Sequence, residues 1–312
     1  MTDPALSGDT TSATVRDTPV AGSAAQSRSS ADETRPRQRA RRKHRGAAVI
    51  WAVLAWLAAL VFFFPVLWMV LTAFKYERAA YTDPPTLWFS PTLEQFQAVL
   101  ASGVGTTLLN SAFATLVSTT CVLVLGIPAA FALSLRPVKK TKDVLFFFLS
   151  TKMLPIVAVI VPLYVIVNRI GLLDNIWTLI ILYTGMNLPI AIWMMRSFFL
   201  EVPAELLEAA SMDGASLWTA VRRVILPLVS PGIAATALIC VIFSWNEFFF
   251  AVNLTAVRAQ TAPVSLVGFI TGEGLFWARL SAASTLAALP VVIAGWVAQN
   301  KLVRGLSFGA IK

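Results

Sequence analysis

The sequence predicts an all-α, polytopic membrane protein with six transmembrane helices. Three observations carry that expectation. The chain is 57% apolar and only 13% charged, whereas a soluble domain is about half apolar and about a quarter charged. Six stretches reach the ~20 mostly apolar residues that a helix needs to cross a bilayer. Lys and Arg are dense in alternate connections between those stretches and sparse in the others, as a fixed orientation requires.

The elements follow in order. Residues 1–34 are rich in Ser, Thr, Ala and Asp and cannot bury enough apolar surface to offset their ordering entropy. With "RPRQRARRKHR" at 35–45, they read as a disordered cytoplasmic tail, 1–45, that ends in a basic cluster. The predicted spans are Gly46–Phe74, Thr107–Leu135, Val144–Asn168, Ile176–Met195, Val224–Phe250 and Leu280–Gln299, so 46–312 reads as one six-helix domain. The first run is uncharged and far longer than the apolar region of a cleavable leader. Trp51, Trp68, Trp177, Trp193, Trp245 and Trp296 fall toward span ends, where an aromatic belt belongs. Pro65, Pro128, Pro155, Pro162, Pro189, Pro231 and Pro290 interrupt spans, which neighbouring helices in a bundle tolerate.

Charge sets the orientation. With the N-terminus inside, the cytoplasmic segments hold the 35–45 cluster, Arg136, Lys139, Lys140, Lys142, Arg196, Arg222, Arg223, Lys301, Arg304 and Lys312. The outer segments hold Lys75, Arg78, Arg169, Arg258 and Arg279. The inside carries the excess, so a multi-pass plasma-membrane (inner-membrane) protein with both termini cytoplasmic is expected. The net charge of +9 is concentrated beside the first span, which argues for a lipid surface and against nucleic acid.

Several chemistries lack their residues. Cys121 and Cys240 both lie in apolar runs, and no Cys-x-x-Cys occurs, so neither a disulfide framework nor a metal site is expected. His44 is the sole histidine. No phosphate-loop motif occurs, so nucleotide binding has no home in this chain. A non-catalytic protein is expected.

The loop 197–227 has an internal design. Pro203 and Glu205 suit the first turn of a helix. Gly214 suits a turn that needs positive φ. Ser216 suits the cap of a second helix with the apolar face Leu217, Ala220, Val221 and Val224. On pattern alone, this is either a loop folded on its own membrane surface or a docking lever. The stretch "EAASMDGASLWTAVRRVILP", 208–227, resembles the E-A-A, glycine, I-x-L-P signature of permease subunits of ATP-binding-cassette importers. Glu208, Ala209, Ala210, Gly214, Ile225, Leu226 and Pro227 carry the match.

The resemblance implies the type I importer permease fold. It makes the loop a coupling helix that docks in a cleft of an ATPase subunit. Glu208 would pair with a basic residue there, Asp213 belongs to the same segment, and Gly214 would make the turn. It also implies the partners: a second permease subunit in a heterodimer, two ATPase subunits that carry ATP and Mg, and an extracytoplasmic binding protein. No cofactor is implied in this chain. "SWNEFFFAVNLT", 244–255, is similar to carbohydrate permeases of the smaller maltose-permease kind. The stretches 150–166 and 272–312 resemble permeases for sorbitol, mannitol and related polyols, with another carbohydrate such as a disaccharide as the alternative.

Candidate substrate-path residues follow. Lys152 lies about 12 Å into the third span, and is either a cavity-facing group or one that snorkels to the interface. Trp245, Asn246, Glu247 and Asn253 offer an aromatic face and polar atoms suited to hydroxyls, or else hydrogen bonds between helices. In the outer loop 252–280, Gly272, Glu273, Gly274 and Trp277 either enter the binding protein's cleft or form a simple cap. The rival class is a secondary transporter, which needs coupling-ion carboxylates at the midplane and often repeats. Glu247 is the one acid in the spans.

Overall fold

The computed structural model describes residues 35–135, 139–271 and 274–309, with side chains over 48–135, 139–270 and 276–299. Residues 1–34, Arg136, Gly272 and Glu273 lie outside the described residues, as does the C-terminal Lys312. By compactness the chain divides into 1–63 and 64–312.

The first unit contains helix, from Arg35 onward, of α1 (Arg35–Ala73). Helix therefore starts ahead of the expected Gly46. The Arg, Lys, Gln and Ala of 35–45 are good helix formers, and extending an existing helix is far easier than nucleating one. Described side chains of this unit, such as Trp51, Trp56 and Phe62, are exposed.

The second unit is helical almost throughout. After α2 (Glu77–Ala80) and α3 (Glu94–Ala101) comes the long α4 (Val104–Leu135). Next are α5 (Thr141–Met153), α6 (Ile156–Arg169) and α7 (Ile176–Leu200). The loop region holds α8 (Glu205–Met212), α9 (Leu217–Ala220), a π-helical turn (Val221–Ile225) and α10 (Leu226–Leu228). The chain ends with α11 (Ser230–Trp245), α12 (Phe249–Leu254), α13 (Ala262–Val267) and α14 (Trp277–Gly309). Between α13 and α14 lies a minimal antiparallel ladder, Ile270–Thr271 with Gly274–Leu275.

Among the described residues, four helices are long and apolar enough to cross a membrane, and up to six if each of two bent pairs is one span. The bends correct two expectations. The third span is broken at Leu154–Pro155 by 89° rather than continuous. Leu154 takes the extended conformation that a following proline favours. The fifth expected span, Val224–Phe250, is also divided. Leu217–Leu228 meets α11 at 73°, and α11 ends at Trp245 with α12 as a separate helix. Pro162, Pro65, Pro128, Pro189 and Pro290 stay inside helices.

The core is α4 packed along α7, with α11 against both and α14 against α11. It closes through small side chains, as membrane bundles do. Gly232, Thr236, Cys240 and Ser244 recur every fourth residue on the buried face of α11. Gly126 lets α4 approach Ala191 and Leu188 of α7 at 3.6 and 3.7 Å from a notional Cβ. Asn187 Nδ2 donates to Ser244 Oγ at 2.9 Å, and Ser244 Oγ lies 3.3 Å from Ser118 Oγ. One polar node thus ties the three helices together.

Candidate functional site

The 197–227 segment is built as one rigid piece. Val202 is buried and Leu207 packs against an apolar cluster that includes Phe131, Leu145, Met195, Phe199 and Ile225. At the end of α8 the Ala215 N–H donates to the Ala210 carbonyl and the Gly214 N–H to the Ser211 carbonyl, both at 3.0 Å. Gly214 has φ +77°. This is the Schellman termination, which places a glycine at that position because an L side chain is strained there. Ser216 Oγ then accepts the Thr219 N–H at 3.3 Å and caps α9.

The second helix expected from sequence is α9, the π-helical turn and α10 in succession. Ala220 and Ile225 are buried, and Val221 and Val224 pack on the same apolar cluster. Leu217 departs from the expected face, being 47% exposed. Ile225 is fully buried, so the I-x-L-P segment is what anchors the loop to the bundle. Leu226 is partly buried and Pro227 exposed.

The opposite side of this piece is free. Leu206, Met212 and Trp218 are exposed, Met212 by 88%. Glu205, Glu208, Ala209 and Asp213 are exposed beside them. Exposed apolar side chains of this size beside carboxylates are what a surface for a partner would present. The two carboxylates Glu205 and Glu208 sit in the first turn of α8, where the helix dipole favours them.

The substrate-path candidates are not one cluster. Trp245 and Asn246 border a cavity of about 360 Å³ with Pro263, Leu266, Ser284 and Ala287. Trp245 is buried, and its Nε1–H donates to the Ala287 carbonyl at 3.0 Å; it joins α11 to α14 and is not a belt residue. Asn246 Nδ2 donates to the Ile242 carbonyl, and Asn253 Nδ2 to the Phe249 carbonyl. Glu247 caps α12, accepting the N–H groups of Phe250 and Ala251 at 2.8 and 3.2 Å. The Tyr183 hydroxyl is beside this carboxylate and interacts with it. Lys152 is exposed in the last turn of α5, at the 89° bend.

Gly274 pairs with Thr271 in the short ladder. Trp277 is the first residue of α14, not part of the loop tip, and borders a cavity of about 460 Å³ with Trp68, Thr72, Thr82 and Ser281. Two positioning carboxylates escaped the sequence reading. Glu77 accepts the N–H groups of Ala278 and Arg279 and so caps α14. Asp174 holds residues 256–259. Among the described residues, no group of three His, Cys, Asp or Glu is arranged to hold a metal ion.

A spanning bundle with a rigid, exposed module folded across one end is the architecture of an importer's membrane subunit. The chain belongs to the family described as binding-protein-dependent transport system inner membrane component, whose model matches residues 122–303, and it is an ABC-transporter permease. It is 38% identical over 265 residues to a probable ABC transporter permease, y4oR, of Sinorhizobium fredii, which covers 85% of this chain and 95% of that protein. It is 32% identical over 270 residues to the trehalose transport permease SugB of Mycobacterium tuberculosis, with 85% and 98% covered. It is 36% identical over 254 residues to the diacetylchitobiose uptake permease DasC of Streptomyces coelicolor, with 80% and 91% covered. Among solved structures it resembles a chain of a bacterial ABC transporter that imports alginate. The TM-score is 0.68 at 24% identity, with 84% of this chain and 98% of that one covered; that likeness bears on the fold, which is the type I importer permease fold.

Proposed function

We propose that this chain is one permease subunit of an ATP-driven importer that passes a carbohydrate from an extracytoplasmic binding protein to the cytoplasm. The observation that carries this is the rigid module 205–228, whose inner face is anchored by Ile225 and whose outer face exposes Glu208, Met212 and Trp218. Family membership supports an ATPase subunit as the partner of such a face. A second permease subunit completes the membrane passage, and two ATPase subunits bind ATP and Mg and dock on the module. Glu208 supplies the charge, and the Gly214 turn sets the angle of entry. Closure of the ATPase dimer then moves the module, and the 73° joint at Val229 delivers that movement to α11. This chain makes and breaks no covalent bond of its cargo.

Relatives named for trehalose and diacetylchitobiose support a saccharide as substrate. The narrower polyol reading, sorbitol or mannitol, rests on the stretches 150–166 and 272–312. Uptake by the reconstituted complex separates them. Labelled sorbitol or mannitol entering in preference to trehalose and maltose supports the polyol; the reverse preference supports the disaccharide. Uptake by this chain without ATP or an ATPase would instead establish the secondary transporter.

The orientation has its own test. Reporter fusions at Lys139, Ser216 and Lys312 are expected to report cytoplasm, and fusions at Thr92, Asp174 and Gln260 the outside. An external reading at Ser216 would end the docking argument, since an outer loop cannot meet an ATPase.

A further inference from the structure

We propose that Asp174 is a positioning residue for the face that meets the binding protein: its single carboxylate clamps four consecutive backbone N–H groups, 256–259, and so fixes the stem of the outer loop. This deepens the importer reading and rests on it.

The geometry is specific. Oδ1 of Asp174 accepts from Ala256 at 2.9 Å, Arg258 at 3.1 Å and Ala259 at 3.0 Å. Oδ2 accepts from Val257 at 3.1 Å and from Arg258 at 2.9 Å. Successive N–H groups turned inward in this way form a concave nest for an anion, and here the anion is supplied from another part of the chain. Asp174 itself sits at φ +52° in the turn between α6 and α7, and its own N–H donates to the Leu254 carbonyl at 2.9 Å. Left-handed backbone is tolerated by Asp more readily than by most residues.

A second grip comes from α4. Asn110 Nδ2 donates to the carbonyls of Arg258 and Gln260, both at 2.9 Å. Ser111 Oγ accepts the Ala262 N–H at 2.8 Å. Three side chains from two other segments thus hold 256–262 in place.

What they hold runs from the surface into the core: Ala259, Thr261 and Ala262 are buried. Ala256, Val257 and Arg258 are exposed, Val257 by 82%. Holding the exposed part, 256–258, this firmly adds little to packing. Its effect is to fix a shape. The clamped residues Val257 and Gln260 form one wall of an uncharged cleft of about 480 Å³, whose other sides include Thr106, Thr107, Ser265 and Phe269. The Ser111 bond falls on Ala262, the first residue of α13. Binding sites gain from surfaces that are ordered before the partner arrives, since ordering them on contact costs affinity.

The charge state suits the role. Burial acts to raise the Asp174 carboxyl, but the backbone N–H groups of Ala256, Arg258, Ala259 and Val257 outweigh it and hold the group down at about 2. A depressed carboxyl stabilises the fold above its ordinary range. That contribution is lost as pH falls through the interval from the usual 3.8 toward about 2. The clamp is therefore fully charged at any pH at which a cell envelope functions.

The test uses the assembled importer in nanodiscs, with Asp174→Asn and Asp174→Ala. Hydrogen exchange at 256–259 is expected to speed up by about tenfold, the change that losing one charge-assisted hydrogen bond produces. Titration of the sugar-loaded binding protein against stimulated ATP hydrolysis is the functional readout. The half-saturating concentration should rise several-fold with the maximal rate unchanged, while the ATPase still co-purifies. A loss of folding alone would lower the amount of complex and leave the half-saturating concentration where it was. Unchanged exchange overturns the clamp. Faster exchange with parental half-saturation overturns the positioning role. If the parental complex is not stimulated by any binding protein, the importer reading has failed, and the proposal falls with it.

Discussion

Replacing Gly232 with leucine should remove the folded permease from the membrane. Gly232 is buried on α11 and faces Phe198 of α7. Even a single added Cβ would overlap the ring near its attachment, where the ring has least freedom to move away. Phe198 packs against the apolar cluster that also anchors Ile225, so shifting it disturbs both the bundle and the loop. Overpacking a closed core costs about 1–3 kcal/mol or more, a large share of a typical stability of about 5–15 kcal/mol. Gly185→Ala is the control. A Cβ at Gly185 meets nothing within 4 Å, and a glycine-to-alanine change inside a helix is favourable by roughly 0.5–1 kcal/mol. Size-exclusion profiles of detergent-solubilised protein should show a monodisperse peak for Gly185→Ala and little or none for Gly232→Leu. Equal peaks would show that α7 and α11 do not pack through this glycine.

The second large effect is on coupling. Gly214→Pro should abolish ATP-driven uptake while the chain stays folded in the membrane. Proline fixes φ near −65°, whereas the native φ is +77°, and it removes the N–H that Gly214 donates to Ser211. The entry angle of α9 is then lost, but the bundle, which Gly214 does not touch, remains. Gly214→Asn is expected to keep most uptake, since Asn accepts the left-handed region. Glu208→Ala should release the ATPase instead, since truncating one partner of a desolvated charge pair costs about 2–5 kcal/mol. Parental uptake by both Gly214→Pro and Glu208→Ala would remove this loop from the coupling path.

Much of this fold was legible because the physics was local. The apolar runs mark α1, α4, α7 and α14, since length and hydropathy alone decide whether a segment suits a bilayer. Gly214 and Ser216 were legible for a related reason: turn and cap are each written within a few residues. The bends were not. Pro65, Pro128, Pro162, Pro189 and Pro290 stay inside helices while the chain breaks at Leu154–Pro155, and which proline breaks a span depends on what packs around it. Groups whose partners are remote in sequence were also hidden. Glu77 caps a helix that begins at Trp277, and Asp174 serves residues 256–259. Trp245 looked like a sugar-facing ring, yet its N–H belongs to Ala287.

The central claim is that the 205–228 module is where an ATPase grips this permease. A photo-crosslinking residue at Met212, which is 88% exposed and points away from the bundle core, tests it in the assembled complex. The account, which places Val257 on the other side of the membrane, predicts an adduct with the ATPase subunit at Met212 and none with it at Val257. An adduct between Met212 and the binding protein, or no ATPase adduct in a complex that transports, would contradict it.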